Sequence, residues 1–161
     1  MDHMLRRLGE ILAERPLRQV LRSKASALWT IRPTDSVMAA MGLMAEKNIG
    51  FLVVMDGSTM VGVLSERDCV RRVVLAGKSP DATPVAATMV SPVVTVDPEQ
   101  TFADCLKLMH QNGIRHLPVV ENGRVVTVVS IRDLLAEAVA HHAKVIAELE
   151  RERLSMLTSM A

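Results

Sequence analysis

The residues best suited to binding chemistry are a hydroxyl and a carboxylate three positions apart, which occur twice in the same setting. Ser65 precedes Asp68 in Ser-Glu-Arg-Asp, and Ser130 precedes Asp133 in Ser-Ile-Arg-Asp. Each tetrapeptide follows an apolar run typical of a strand and begins a segment with helical periodicity. A serine at a helix start can cap backbone amides, and the carboxylate can reach back to the serine's own amide.

The same arrangement can also bind a phosphorylated sugar. A helix N-terminus offers free N–H groups and the positive end of its dipole, which suit phosphate. Ser130 adds a hydroxyl and Arg132 a planar guanidinium, while Asp133 has two acceptor oxygens that match the neighbouring hydroxyls of a ribose. The residues that could line a slot for a base, or contact base or sugar, are Val94, Thr95, Leu117, Pro118, Ile131 and, in the first copy, Thr30.

The two tetrapeptides belong to an internal repeat with an offset of 65 residues. Between Thr30 and Asp68, 12 of 39 positions are identical to the residue 65 places later, without a gap. Thr30 matches Thr95, for example, and Val61 matches Val126. Because an internal repeat fixes the architecture, we expect a duplicated module with two related sites.

Each repeat alternates between strand and helix periods in the order β-α-β-β-α. The predicted segments are 28–31, 37–47, 51–55, 60–64 and 65–77, then 93–96, 101–112, 116–120, 124–129 and a helix from Ser130. Near-continuous apolar strands indicate a sheet covered on both faces, hence an α/β (α+β) fold with internal pseudo-two-fold symmetry. The predicted domains are an N-terminal helical segment (1–23), repeat one (24–84), repeat two (85–145) and a C-terminal helix extension (146–161).

The flanking segments have helical apolar stripes. In residues 4–14 the stripe comprises Met4, Leu8, Ile11 and Leu12. Near the C-terminus it comprises Leu135, Ala138, Val139, His142, Val145, Ile146 and Leu149. Either stripe could pack on its own domain, but the second is longer than a repeat needs, which favours a homodimer.

Composition narrows the class of protein. The 161 residues are 49% hydrophobic and 2% aromatic, and the mean hydropathy of +0.23 indicates apolar surface buried in an oligomer. A net charge of +1 and few aromatic rings argue against nucleic-acid binding. Two cysteines without motif spacing indicate a reducing compartment. Without a signal-peptide pattern or a long apolar run, we expect a cytoplasmic protein with no membrane contact.

The longer pattern around each tetrapeptide resembles a CBS domain. The segments that carry the resemblance are 113–120, 123–125 and 129–134 in one copy, and 48–54 and 61–68 in the other. The resemblance covers roughly residues 20–140, and the pair is similar to a Bateman module. It implies a stand-alone, bacterial-type ligand sensor that binds AMP, ADP, ATP, NAD or S-adenosylmethionine in clefts between the repeats and forms disc-like dimers.

The resemblance also assigns roles to residues. It places the two aspartates on ribose and the two serines toward phosphate, and it maps a polar position before the first helix onto Thr30 and Thr95. Its basic pair maps only onto Arg115-His116. The expected ligand-binding residues are Thr30, Ser65, Arg67, Asp68, Val94, Thr95, Arg115, His116, Leu117, Pro118, Ser130, Ile131, Arg132 and Asp133.

The two copies differ from each other in two places. Gly50-Phe51 replaces Arg115-His116, and Thr127 stands where repeat one has Gly62 and the family usually has glycine. The two clefts are therefore expected to be chemically unequal, with the approach to the second narrowed. One nucleotide per chain and two different nucleotides are both open.

An enzyme would need a nucleophile with a positioned base, and His110, His116, His141 and His142 show no such spacing with serine or cysteine. We therefore expect no catalysis, no catalytic cofactor and no metal site. The expected function is an adenine-nucleotide sensor in signal transduction, acting on a separate, unidentified effector protein.

The alternative is a dimerisation scaffold whose Ser-x-x-Asp motifs are only helix caps. For a ribose ligand, Asp133→Ala is expected to weaken nucleotide affinity about ten- to a hundredfold, since hydrogen bonds to a charged group are worth about 1.5–3 kcal/mol. The melting temperature without ligand is expected to change little. For a cap, stability would fall and nucleotide affinity would not respond.

Overall fold

The computed structural model describes residues 12–23 and 27–159. Its helices are α1 (Leu17–Val20), α2 (Val37–Lys47), α3 (Glu66–Cys69, continued by a π-helical segment, Val70–Val74), α4 (Phe102–Asn112) and α5 (Ile131–Ser159). Short 3-10 turns cover Leu21–Ser23 and Val85–Ala87, and the strands are β1 (Thr30–Ile31), β2 (Phe51–Asp56), β3 (Thr59–Ser65), β4 (His116–Glu121) and β5 (Arg124–Ser130). The mixed α/β fold class is therefore confirmed, with repeat one in the predicted β-α-β-β-α order.

Two small sheets contain the strands. In the first, β1 pairs parallel to β2 with Thr30 opposite Val53, and β2 pairs antiparallel to β3 with Phe51 opposite Ser65. The second consists of β4 and β5 alone. The backbone at the hairpin turn between them has positive φ at Asn122 and Gly123, the conformation that a type I′ turn needs.

The predicted strand at 93–96 is reduced to a single bridge between Val96 and Val119. In repeat one, the N–H of Val53 donates to the carbonyl of Trp29 at 3.2 Å. The equivalent of Val53 is Pro118, which has no N–H, so this bond of the ladder cannot form. The proline explains why the second sheet has two strands where the first has three.

The contacts divide the chain into two compact units. The central unit comprises Ala25–Val96 and Pro118–Val128; the terminal unit comprises Met1–Lys24, Asp97–Leu117 and Val129–Ala161. Buried side chains from α2, from one face of the β2–β3 hairpin, from α3 with its π-helical continuation and from the second 3-10 turn form the central core. Its members are Val37, Ala40, Met44, Leu52, Val54, Leu64, Cys69, Val73 and Val85.

In the terminal unit, α4 packs against α5. Backbone bonds hold the segment before α1 to the start of α4: Phe102 N–H donates to the carbonyl of Arg15, and Leu17 N–H to that of Gln100. The guanidinium of Arg15 also forms a partly buried ion pair with Glu137 of α5. Of the predicted N-terminal stripe, Met4, Leu8 and Ile11 lie outside the described residues, and Leu12 is buried.

The long helix α5 confirms the predicted C-terminal helix, but the predicted apolar stripe does not form a single buried face. Leu134, His141 and Val145 are buried, whereas Leu135 and Val139 are exposed. The predicted stripe therefore combined residues from two faces, of which only one packs inside the unit. Among the described residues, no helix is long and apolar enough to cross a membrane.

Both cysteines are free and buried, and burial raises the pKa of each thiol to about 11. The neighbouring carboxylates of Asp68 and Asp104 add to this effect on Cys69 and Cys105 respectively. Because the thiolate is the reactive form, we expect native protein to react with Ellman's reagent at pH 8 far more slowly than unfolded protein.

The same shift makes stability depend on alkaline pH. The folded chain keeps its thiol protons to a higher pH than the unfolded chain, so the free energy of unfolding is expected to fall as pH rises from about 9 toward 11. Urea titrations of wild type and a Cys69→Ala/Cys105→Ala variant measure this. Equal pH dependence of the two proteins, or rapid labelling of native thiols, would contradict the expectation.

Candidate functional site

The first Ser-x-x-Asp motif forms a capping box where β3 meets α3. The Ser65 hydroxyl accepts from the Asp68 N–H at 3.2 Å, and Asp68 Oδ2 accepts from the Ser65 N–H at 3.1 Å. The hydroxyl also donates to the same carboxylate oxygen. The Nε of Arg72 lies 3.8 Å from Asp68 Oδ1, and this guanidinium donates to the carbonyl of Thr88. One carboxylate oxygen of Asp68 thus contacts Ser65, and the other faces Arg72.

The second motif repeats this geometry where β5 meets α5. Ser130 Oγ accepts from the Asp133 N–H at 3.2 Å, while Asp133 Oδ2 accepts from the Ser130 N–H at 2.7 Å and from its hydroxyl at 2.8 Å. The position equivalent to Arg72 is Glu137, which pairs with Arg15. The two aspartates therefore form the same capping box, but the residue four positions later is an arginine after Asp68 and a glutamate after Asp133.

The first two N–H groups of the helix are alike at both motifs: the first is hydrogen-bonded and the second is not. Glu66 N–H donates to the carbonyl of Gly50, and Ile131 N–H to that of Arg115, which stands 65 residues after Gly50. Within the described chain, the next amides, those of Arg67 and Arg132, have no hydrogen-bond partner. Each motif thus leaves one helix-start N–H available to an acceptor.

A third capping box lies at the start of α4, outside the two motifs. Thr101 Oγ1 accepts from the Asp104 N–H at 3.1 Å, and Asp104 Oδ2 accepts from the Thr101 N–H at 3.1 Å. The Thr101 hydroxyl, which donates to Asp104 Oδ2 at 2.8 Å, and then the Thr101 N–H lower the pKa of the Asp104 carboxyl. The periodicity predicts a helix start at Thr101, but the Thr-x-x-Asp pattern there was not among the predicted motifs. It provides an internal comparison for a capping box outside the candidate site.

The other predicted site residues fall into both units. Thr30 is exposed on β1, in the same central unit as Ser65, Arg67 and Asp68. Arg115 is exposed and His116 half-buried in the terminal unit, which also contains the second motif. Of the residues predicted to line an apolar slot, Val94 and Ile131 are half-buried, while Leu117 is fully buried and Pro118 is buried. Val94, Thr95 and Pro118 belong to the central unit.

The difference between Gly62 and Thr127 has a packing basis. A Cβ added at Gly62 would lie 2.6 Å from the sulfur of Met89 and 3.2 Å from its Cβ, so the glycine admits Met89 against the strand. Thr127 is buried, and among the described residues its hydroxyl has no hydrogen-bond partner. The sequence signals the substitution but not Met89, the contact that explains the glycine.

The described residues show no cluster of histidine, cysteine and carboxylate side chains that could hold a metal ion. The chemistry of the two motifs is hydrogen bonding: an unpartnered amide, a hydroxyl and a carboxylate, with an arginine at the third position of each. This set can recognise an anion beside a diol.

Comparison with known proteins agrees with the repeat. The family model of the CBS domain matches residues 16–75 and 85–140. CBS domain-containing protein CBSX3, mitochondrial, of Arabidopsis thaliana is 33% identical over 82% of this chain and 67% of its own length. A protein of Methanopyrus kandleri is 35% identical over 64% of this chain, and the match spans only 54% of that protein.

Solved structures agree as well. A protein from Burkholderia ambifaria, provisionally described as a signal-transduction protein with CBS domains, is 38% identical with a TM-score of 0.75. The match covers 78% of this chain and 94% of that one. A CBS-domain containing protein from Agrobacterium tumefaciens is 29% identical with a TM-score of 0.73, covering 76% and 98%. The chain belongs to the CBS-domain family and carries two CBS domains in tandem.

Proposed function

We propose that this protein is a regulatory sensor of adenine nucleotides, of the AMP, ADP, ATP or NAD type. CBS domains generally bind adenosine-containing ligands and are regulatory modules without catalysis of their own. The observation that carries the proposal is the equivalence of the two strand-to-helix junctions down to individual hydrogen bonds. Two equivalent junctions, each with an arginine and an unpartnered amide, suit two related phosphate-binding positions.

In the proposed binding mode, the carboxylate accepts from ribose and the helix start accepts phosphate. In both motifs the capping bonds use Oδ2 of the aspartate. The other oxygen, Oδ1, is the proposed acceptor for the ribose hydroxyls. The unpartnered amide of Arg67 or Arg132 would donate to a phosphate oxygen, with the arginine side chain as a second donor.

The second motif is the better candidate for the stronger site. In the terminal unit the carbonyl of Arg115 accepts from the Ile131 N–H of the second motif. Arg115 and His116 stand where repeat one has Gly50 and Phe51. We therefore propose that a negatively charged phosphate group of the ligand binds more tightly at the second motif than at the first.

Signalling would follow from a difference in ligand affinity between two states of the protein. The basic residues near the phosphates, Arg67, Arg115, His116 and Arg132, are the proposed source of that difference. The output would be a change in a homodimer or in contact with a separate effector protein. The two buried free thiols support a reducing compartment, and we propose the cytoplasm.

A thermal-shift panel of AMP, ADP, ATP, NAD, NADH and S-adenosylmethionine tests the proposal. A ligand present at a hundred times its dissociation constant stabilises the folded state by about 2.7 kcal/mol. For a chain of this size that corresponds to a rise in melting temperature of about 5–10 °C. Guanosine nucleotides at the same concentrations serve as the control. No response to any adenosine compound would contradict the proposal.

The scaffold remains a second candidate, since both aspartates do cap their helices. It predicts a panel without any shift and an oligomer that forms without ligand.

A further inference from the structure

Two positions beside the Ser-x-x-Asp motifs differ in charge between the repeats. Gly50, just before β2, corresponds to Arg115, just before β4. Glu66, the second residue of the first motif, corresponds to Ile131. Both differences make the surroundings of the second motif more positive than those of the first, although the motif serine, arginine and aspartate are the same.

In repeat one these two positions are in contact. A Cβ added at Gly50 would lie 3.1 Å from Glu66 Oε2 and 3.4 Å from its Cδ, so the carboxylate lies against the backbone of the glycine. The Glu66 N–H also donates to the carbonyl of Gly50 at 3.1 Å. A larger side chain at position 50 would have to displace the carboxylate. The two differences therefore form one structural unit, in which the glycine makes room for the glutamate.

No ion pair balances the charge of Glu66. Its side chain is exposed, and within the described ranges no cation pairs with its carboxylate. Arg72 also lies near the first motif, but its Nε is 3.8 Å from Asp68 Oδ1, so that aspartate matches its charge. In repeat two the charge of Glu137 is matched by Arg15. Glu66 therefore gives the first motif a negative charge that has no counterpart at the second.

Glu66 also weakens the attraction of the helix start for an anion. The first turn of α3 contains two carboxylates, those of Glu66 and Asp68, whereas the first turn of α5 contains only that of Asp133. A carboxylate in the first turn lies at the positive end of the helix dipole and partly cancels its field. The repulsion of a bound ligand by Glu66 grows with the number of negative charges on that ligand.

We propose that Glu66 makes the first motif selective for adenosine ligands with no phosphate or one, whereas the second motif takes nucleotides with several phosphates. This inference rests on the proposed function and assigns a class of ligand to each motif. Both motifs keep the aspartate proposed to accept from ribose, so the selection acts on the phosphate end of the ligand. Glu66 is thus a specificity-determining residue, and Gly50 is the residue that lets it lie there.

Isothermal titration with adenosine, AMP and ATP, without divalent ions, tests this assignment. The Asp133→Ala chain keeps the first motif intact, and the Asp68→Ala chain keeps the second. The first is expected to bind AMP more tightly than ATP, and the second is expected to show the reverse order. Adding Glu66→Gln to the Asp133→Ala chain is expected to raise ATP affinity about tenfold at low salt, AMP affinity less and adenosine affinity not at all. Adding Ile131→Glu to the Asp68→Ala chain is expected to lower ATP affinity by a similar factor.

Two controls separate the charge at the motif from other effects. Asp81→Asn removes an exposed carboxylate from the linker, which contacts the start of α2 through the Pro80 carbonyl, whereas Gly50 follows the other end of this helix, about 15 Å away. This variant is expected to leave all three affinities unchanged. The effect of Glu66→Gln is expected to shrink at about 0.5 M salt, because salt screens exposed charges.

The outcomes distinguish this inference from the sensor proposal. If Glu66→Gln leaves the preference between AMP and ATP unchanged, or alters adenosine binding equally, the inference is wrong and the sensor proposal stands. The same holds if the Asp133→Ala chain binds neither adenosine nor AMP, or if Ile131→Glu leaves ATP affinity unchanged. If wild type binds none of the three compounds, the sensor proposal itself fails, and this inference with it.

Discussion

Replacing Asp133 with alanine is expected to weaken nucleotide binding about ten- to a hundredfold, since a hydrogen bond to a charged group is worth about 1.5–3 kcal/mol. The Asp133 carboxylate is the proposed acceptor for the ribose hydroxyls. Isothermal titration with the nucleotide that gives the largest thermal shift measures the change. Asp68→Ala is expected to have a smaller effect on the total binding, since the first motif has Gly50 and Phe51 where the second has Arg115 and His116.

The structure changes the second part of the sequence-based expectation. A melting temperature unaffected by Asp133→Ala was expected for a ribose ligand, but Asp133 also closes a capping box with Ser130. Loss of a cap lowers stability by about 0.5–2 kcal/mol. The ligand-free variant is therefore expected to be less stable than wild type even when the aspartate binds ribose.

Asp104→Ala is the matched control. It removes the equivalent carboxylate from the Thr101 box, and alanine is the residue that repeat one has at this position, Ala39. It is expected to lower stability by a similar amount without changing nucleotide affinity. If Asp104→Ala and Asp133→Ala have the same effect on stability and the same effect on nucleotide affinity, the second motif is only a cap and the sensor proposal fails.

Helix ends and hairpin turns are the parts of the fold that the sequence predicts well. Helix α2 begins after Ser36 and ends at Asn48 in the left-handed conformation, and α4 begins after Thr101 and ends at Gly113. These ends follow from local capping chemistry, which a sequence displays directly. The two hairpins are equally local, with turn residues at Gly57 and at Asn122-Gly123.

Features that depend on contacts distant in sequence could not be predicted. The periodicity of the helix after Ser65 did not reveal that it widens into a π-helical segment at Val70–Val74. Likewise, the stripe on α5 could not be divided into buried and exposed faces, because that division depends on what packs against it. At the candidate site, the residue types predicted that the two Ser-x-x-Asp motifs could form capping boxes, whereas the approach of Arg72 to Asp68 became visible only in three dimensions.

Replacing Gly62 is expected to lower the stability of the protein, since the packing of repeat one leaves no room for a Cβ at this position. Gly62→Ala would place a Cβ 2.6 Å from the sulfur of Met89 and 2.9 Å from its Cγ. Overpacking of this kind lowers stability by about 1–3 kcal/mol, because the neighbouring side chain must leave its favoured position. Urea unfolding of wild type and variant measures the loss.

Two further variants separate the clash from the general effect of replacing glycine. At Gly42, in the interior of α2, an added Cβ would meet nothing within 4 Å. Gly42→Ala is therefore expected to raise stability by about 0.5–1 kcal/mol. Combining Gly62→Ala with Met89→Ala removes the clash, so the double variant is expected to lose less stability than the two single losses added together. Additive losses would mean that Met89 yields easily, and the glycine would then need another explanation than this contact.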